Sequence, residues 1–228
     1  MTKEIGRYTM TDQLIFKFPS NKAYIKDDFY VSSSNKEAYD FIVNWPKWIR
    51  RIVNIYGPSG SGKTHLTSIL KNKTSTLDIQ SNSLNDKIFF KFKTKEALII
   101  ENLNENISEN LLFSIWNVAL QDNKYLLITS NKPINGYKFK LPDLKSRTSS
   151  CLTIGINLPS DDLISVILMK NFSDKQIKVE KKHIDYIIKR IDRSYEKISQ
   201  FILTLDKYSL KKGSPFSLKL IKEVLKMI

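Results

Sequence analysis

The sequence predicts an α/β fold, a parallel sheet flanked by helices and followed by a small all-helical lid. Three observations carry that expectation. Short apolar strands alternate with helical patterns up to about residue 158. The one glycine-dense segment, Gly57 to Gly62, lies between a strand and a helix. Beyond Pro159 the patterning is helical only. The expected organisation is an arm over 1–28, an α/β domain over 29–158 and a helical lid over 159–228.

In order along the chain, residues 1–28 are mixed and polar apart from the apolar island Leu14 to Phe18, and read as an extended arm. From Asn35 to Trp48, apolar positions at Ala38, Phe41, Ile42 and Trp45 have helical spacing, with a stop near Pro46. Ile52 to Tyr56 is a short β-branched strand, and His65 to Leu70 opens a helix. Lys87 to Phe92 and Ala97 to Ile100 read as strands. Ser108 is placed to cap a helix whose apolar face runs from Leu111 to Leu120. Tyr125 to Thr129 and Cys151 to Ile156 are further strands. Ser160, Asp161 and Asp162 form a helix start, with acids at the positive end of the dipole. His183 to Ile191, Tyr195 to Tyr208 and Leu218 to Met227 complete the helical part.

Composition removes several function classes. With 228 residues, 41% hydrophobic and 11% aromatic, the chain can bury a core. A single cysteine, Cys151, excludes an intrachain disulfide and a cysteine zinc cluster. No apolar run approaches the roughly 20 residues of a membrane helix, and the first 18 residues do not read as a leader. A cytoplasmic protein without membrane contact is expected. The net charge of +14 invites a nucleic-acid reading. Yet lysine outnumbers arginine 31 to 6 and is spread along the chain, which favours a solvated surface.

Four motifs carry chemistry. Gly57, Pro58, Ser59, Gly60, Ser61, Gly62, Lys63 and Thr64 fit G-x-x-x-x-G-K-[ST] without a gap. In that pattern backbone N–H groups wrap a phosphate, the lysine reaches the β- and γ-phosphates, and the threonine hydroxyl ligates Mg²⁺. Leu98 to Ile100 is an apolar strand ending in Glu101, a carboxylate placed to hold Mg²⁺ beside that loop. Asn102 follows where a second acid would polarise water, so slow intrinsic hydrolysis is expected. Asn131, just past the strand Leu126 to Thr129, reaches the end of the sheet where ligands bind. It reads either as a contact to the γ-phosphate or lytic water, or as part of a turn before Pro133. Arg147, in the segment Leu141 to Arg147, is expected to project from a loop. It reads as an ordinary surface arginine or as a finger acting on a neighbour's γ-phosphate.

These motifs, in this order and ahead of a helical lid, resemble the AAA+ P-loop NTPases, and more closely their DnaA clade. Phe29, Tyr30 and Val31 followed by Asn35 resemble that clade's approach to the adenine pocket, and the loop from Gly57 through His65 and Leu66 is similar to its phosphate loop. Leu-Pro-Asp-Leu-x-Ser-Arg over 141–147, and Ile100-Glu101-Asn102, resemble the Hda-type regulators of that clade. Gln13, Leu14, Ile15, Phe16, Lys17 and Phe18 are similar to the hexapeptide by which Hda-type proteins bind the sliding clamp of the replicative polymerase.

The resemblance implies bound ADP or ATP with Mg²⁺, held by Tyr30, Val31, the loop from Gly57 to His65, and Glu101. It implies a partner DnaA, the clamp as a second partner, DNA met mainly through the clamp, and a homodimer as one possible assembly. Its lid arginine falls on Glu196 here, which leaves Arg193 or Arg190 as substitutes. DnaA itself carries a helix-turn-helix domain beyond its lid, whereas this sequence ends at Ile228, so sequence-specific origin reading is not expected. The implied function is inactivation of DnaA by hydrolysis of DnaA-bound ATP. The competing readings are an autonomous ATPase such as a DnaC-like helicase loader, and a DNA-binding initiator paralogue.

One prediction follows from the arm. Gln13→Ala with Leu14→Ala should abolish clamp binding while leaving nucleotide affinity intact, each truncated hot-spot side chain costing about thirtyfold. Co-elution with clamp checks it, and a double variant that co-elutes as wild type does would make the island structural.

Overall fold

The computed structural model describes residues 29–175, 177, 179–212 and 217–228, so the arm and Gln13 to Phe18 lie outside the described residues. Five strands form one sheet: β1 (Ile52–Tyr56), β2 (Thr76–Gln80), β3 (Ala97–Leu103), β4 (Tyr125–Ser130) and β5 (Leu152–Gly155). Their order is β2-β3-β4-β1-β5, and every pairing is parallel. The intervening helices are α1 (Lys36–Val43), α2 (Lys63–Lys71), α3 (Ile88–Lys93), α4 (Glu109–Gln121) and α5 (Pro142–Ser149). Four helices follow the sheet: α6 (Asp161–Asp174), α7 (Lys181–Ile188), α8 (Tyr195–Lys212) and α9 (Leu218–Leu225).

The sheet is buried on both faces, as the crossovers of a parallel sheet require. Along β3, Leu98 and Ile100 pack with Phe92, Leu112 and Trp116 on one side. Ile99 turns to the other side, among Val53, Ile55, Leu66 and Leu70. β4 alternates in the same way through Leu126, Leu127 and Ile128. The lid has a separate core, in which Leu168, Phe172, Ile187, Phe201 and Ile221 meet. Ser108, Ser160 and Ser217 accept from backbone N–H groups at the starts of α4, α6 and α9.

Several elements differ from expectation for identifiable reasons. Lys87 to Phe92, expected as a strand, is helical: Ile88 and Phe92 are buried four residues apart, while Phe90 is 79% exposed. The missing strand is β2, an edge strand whose Leu77 and Ile79 alternate with Thr76, Asp78 and Gln80 and are only half-buried. Its apolar signal is correspondingly weak. The 141–147 segment is not a loop; Pro142 opens α5, which carries Arg147 in its last turn. α1 ends at Val43 rather than reaching Trp48, and α2 begins at Lys63 rather than His65. β3 runs past Ile100 to Leu103, with an irregular register between them and Asn102 at φ +57°. Among the described residues, no helix is long and apolar enough to cross a membrane.

One strand residue fixes the far side of the site. Asn54, buried in the middle of β1, donates from Nδ2 to the Ile128 carbonyl at 3.0 Å and to Ser130 Oγ at 2.8 Å. Its Oδ1 accepts from the Ile134 N–H at 2.9 Å. Ser130 Oγ in turn donates to the Lys132 carbonyl at 2.7 Å. The turn that presents Asn131 therefore hangs on Asn54. Asn54→Ala would strand the buried Ile134 N–H and remove a donor from the buried Ser130 Oγ, and should cost about 1–3 kcal/mol of stability. Urea titration checks it, and an unchanged midpoint would mean the turn holds itself.

Candidate functional site

The phosphate loop joins β1 to α2 at the carboxyl edge of the sheet, where open α/β sheets bind ligands. The Gly57 N–H donates to the Ser130 carbonyl at 3.1 Å, fastening the loop's start to the end of β4. Gly62 caps α2 at φ +93°, and a Cβ there would lie 2.9 Å from the Phe29 ring. Only glycine meets both conditions. The first N–H groups of α2 lack intrahelical acceptors by construction, and they face the loop with the positive end of the helix dipole.

Lys63 is the centre of the arrangement. Its ammonium donates to the carbonyls of Gly57 at 2.7 Å and Pro58 at 2.9 Å, and to Asn131 Oδ1 at 3.4 Å. The residue is only 7% exposed, and burial pushes its pKa below the ordinary lysine value. Beside it, Ser61 Oγ is buried and has no hydrogen-bond partner. A buried hydroxyl without a partner is costly. Ser59 to His65, Asn102, Asn131 and Ser199 line a cleft of about 540 Å³. A buried cation, an unpaired hydroxyl and free helix-start amides around one concavity fit a nucleotide's phosphates.

A second, smaller cleft of about 130 Å³ adjoins the loop on its other side. Tyr30, Asn35, Leu163, Val166, Ile167 and Tyr195 are among its walls. Asn35 shapes its entry by donating to the Tyr30 carbonyl at 3.0 Å and accepting from the Ser32 N–H at 2.8 Å. Tyr30 borders this smaller cleft, whereas Val31 lines neither cleft. His65 meets the Phe29 ring edge-on, with centroids 5.2 Å apart, and lines the phosphate cleft.

The acid of the expected metal pair is oriented differently. Glu101 is 5% exposed and accepts from Thr67 Oγ1 at 2.7 Å and Gln80 Nε2 at 3.2 Å, with Lys71 Nζ at 3.8 Å. It braces β3 against α2 one helical turn beyond Thr64. Thr64 is exposed at the phosphate cleft, so its hydroxyl is open to a divalent ion. Asn102, not Glu101, lines the cleft; its N–H donates to Thr129 Oγ1 at 3.1 Å and its Nδ2 to Gln80 Oε1 at 2.8 Å.

Two arginines stand apart from both clefts. Arg193 pairs with Asp161 at 3.0 Å on the lid surface, and Arg147 reaches Asn117 Oδ1 on α4 at 3.4 Å from an exposed face of α5. Neither lines a cleft, and neither does Glu196. The lid positions at the two clefts are Tyr195 and Ser199, together with the α6 residues Leu163, Val166, Ile167 and Lys170. The sequence reading missed all six. Their helical spacing was available as a signal, but only the lid's packing says which face meets the loop.

No family model matches the chain. Among curated proteins it is similar to the chromosomal replication initiator protein DnaA of Campylobacter jejuni, at 27% identity over 233 residues, covering 90% of this chain and 53% of that protein. DnaA of Borreliella afzelii is 26% identical over 241 residues, covering 93% and 50%. The chain spans about half the length of the curated relatives it matches. Among solved structures, domain III of Thermotoga maritima DnaA superposes with a TM-score of 0.75 at 21% identity, covering 92% of this chain and 98% of that one. AMPPCP-bound DnaA from Aquifex aeolicus gives 0.67 at 17%, covering 82% and 66%. These structural likenesses establish the fold.

If the cleft takes phosphates, Lys63→Ala should keep the fold, since its ammonium ties only the loop and Asn131. It should weaken ADP binding at least about a hundredfold through the lost charged hydrogen bonds. Calorimetric titration decides it, and unchanged affinity in a folded variant would remove the assignment. The chain thus has the fold of DnaA domain III, and its sequence is similar to DnaA along nine-tenths of its length.

Proposed function

We propose that the chain is a nucleotide-holding regulator of replication initiation that acts on the ATP of a DnaA partner. One observation carries the reading: Arg147 is exposed on α5 and absent from the walls of its own phosphate cleft. A guanidinium so placed is of no use to the chain's own nucleotide but is open to another molecule's. The fork of an arginine suits a γ-phosphate, where charge spreads over several oxygens during transfer. Within the chain, Lys63, Ser61 and Thr64 would hold ADP or ATP with Mg²⁺ in the phosphate cleft, and Tyr30 would border the base. Mg²⁺ there would neutralise phosphate charge.

The chain's own turnover should be slow. Asn102 stands at the cleft where a second carboxylate would accept a proton from water, and an amide cannot accept one. The bound nucleotide then serves to order the loop and lid rather than as fuel. Sequence similarity to DnaA over most of the chain supports a DnaA-type partner, since AAA+ surfaces of one kind can stack on each other. Gln13 to Phe18 would bring the chain to the clamp by fitting an extended peptide with apolar anchors into a surface pocket.

The test is single-turnover hydrolysis of ATP preloaded on DnaA, with clamp and DNA present. Arg147→Ala should keep fold and ADP affinity yet lose stimulation by a factor on the order of 10³. Arg147→Lys should rescue poorly, being a point charge without the fork. Full stimulation by Arg147→Ala would leave sequestration or another arginine as the means.

A further inference from the structure

Helix α5, which carries Arg147, is tied to α4 at both of its ends. It opens on Leu141, whose side chain accepts no N–H from the first turn. In a capping box, an acid three residues into a helix reaches back to the N–H of the capping residue. That position here is Leu144, which is buried in the core with Leu112 and Ile115 of α4. The acid comes instead from the first turn of α4. Glu109 Oε2 accepts from the Lys140 N–H at 2.9 Å and from the Leu141 N–H at 2.7 Å, and Oε1 accepts from the Lys140 N–H at 3.0 Å. The Lys140 N–H, and then that of Leu141, hold the Glu109 carboxyl below the usual carboxylate range.

Further along α4, Asn117 Oδ1 accepts from the Arg147 guanidinium at 3.4 Å, in the last turn of α5. One helix thus holds the entry of α5 through Glu109 and its far end through Asn117. Arg147 itself stays exposed. A long exposed side chain samples many rotamers unless its base and its tip are fixed, and a reacting geometry is sensitive to displacements of about 1 Å.

We propose that Glu109 is a positioning residue for Arg147: its carboxylate fixes the entry of α5 on α4, so that the guanidinium at the other end stands in one place for a partner's γ-phosphate. The inference rests on the function proposed above and deepens it. Glu109 lines neither cleft, so the chain's own nucleotide does not need it. A group that sets where a guanidinium stands acts on the transition state, not on encounter. Its loss therefore shows in the maximal rate and leaves the half-saturating concentration alone. A tie that only stabilised the fold would leave the rate of the folded chain unchanged.

Single-turnover hydrolysis of ATP preloaded on DnaA, at rising concentrations of the full 228-residue chain with clamp and DNA, tests this. Glu109→Ala should lower the maximal rate by about tenfold to a hundredfold, through the lost charged hydrogen bonds and the displaced guanidinium. Its half-saturating concentration and its ADP affinity should stay within about threefold of wild type. Glu109→Gln keeps an oxygen that can take both bonds of Oε2, and should recover to within about threefold. Glu109→Asp keeps the charge but falls one methylene short, and should lose about tenfold or more. That variant carries the test if Glu109→Ala fails to fold. A wild-type maximal rate in Glu109→Ala or Glu109→Asp, a loss confined to the half-saturating concentration, or a glutamine no better than the aspartate would overturn the inference. Full stimulation by Arg147→Ala, measured beside them, would instead remove the proposed function, and this inference with it.

Discussion

A lysine ammonium buried at the edge of a parallel sheet must have oxygen around it, and much of this molecule's architecture serves that need. Lys63 finds it in the Gly57 and Pro58 carbonyls and in Asn131. For those carbonyls to turn inward, the loop must leave β1 sharply and enter α2 through a positive φ, which glycine at 62 permits. For Asn131 to be in reach, β4 must lie directly beside β1, as the pairing of Tyr56 with Ser130 ensures. Asn54 then holds the turn beyond β4 in place. The same enclosure leaves Ser61 Oγ with no partner, so the loop is tight around its lysine yet retains an unmet donor facing the cleft.

The lid follows from this loop. Gly60 presents backbone without a side chain, and Tyr195 packs against it. The base-side cleft is completed by α6, whose Leu163, Val166 and Ile167 come from the opposite end of the lid sequence. Sheet and lid cores are separate, and the phosphate-loop cleft is lined from both sides, by the loop and by Ser199 of the lid. Arg147 and Arg193 lie outside this system: Arg193 ties α6 to the stretch before α8 through Asp161, while Arg147 is exposed on α5 beside Asn117.

Contiguous features were legible in the sequence and composite ones were not. The phosphate loop is a local backbone shape, so eight consecutive residues specify it together with the flanking β1 and α2. Buried strands such as β4 announce themselves by unbroken apolar runs. Edge strand β2, half-exposed, does not, and Phe89-Phe90-Lys91-Phe92 imitates the alternation of a strand although Ile88 and Phe92 share one helical face. Glu101 was found, but not its bond to Thr67, because a strand's end does not reveal which turn of a neighbouring helix it meets. The lid contact was lost to geometry of the same kind. Each helical residue turns the face by about 100°, so a step from Tyr195 to Glu196 exchanges a buried contact with Gly60 for solvent.

The account's central claim is that a nucleotide is gripped at once by the phosphate loop and by the lid. Hydrogen–deuterium exchange of the chain with and without ADP–Mg²⁺ measures this most directly. The account predicts slowed exchange together in the loop and first turn of α2, over 57–66, and in the start of α8, over 195–199. It would be contradicted by exchange that stays unchanged in both segments at saturating nucleotide, or by protection confined to regions remote from them.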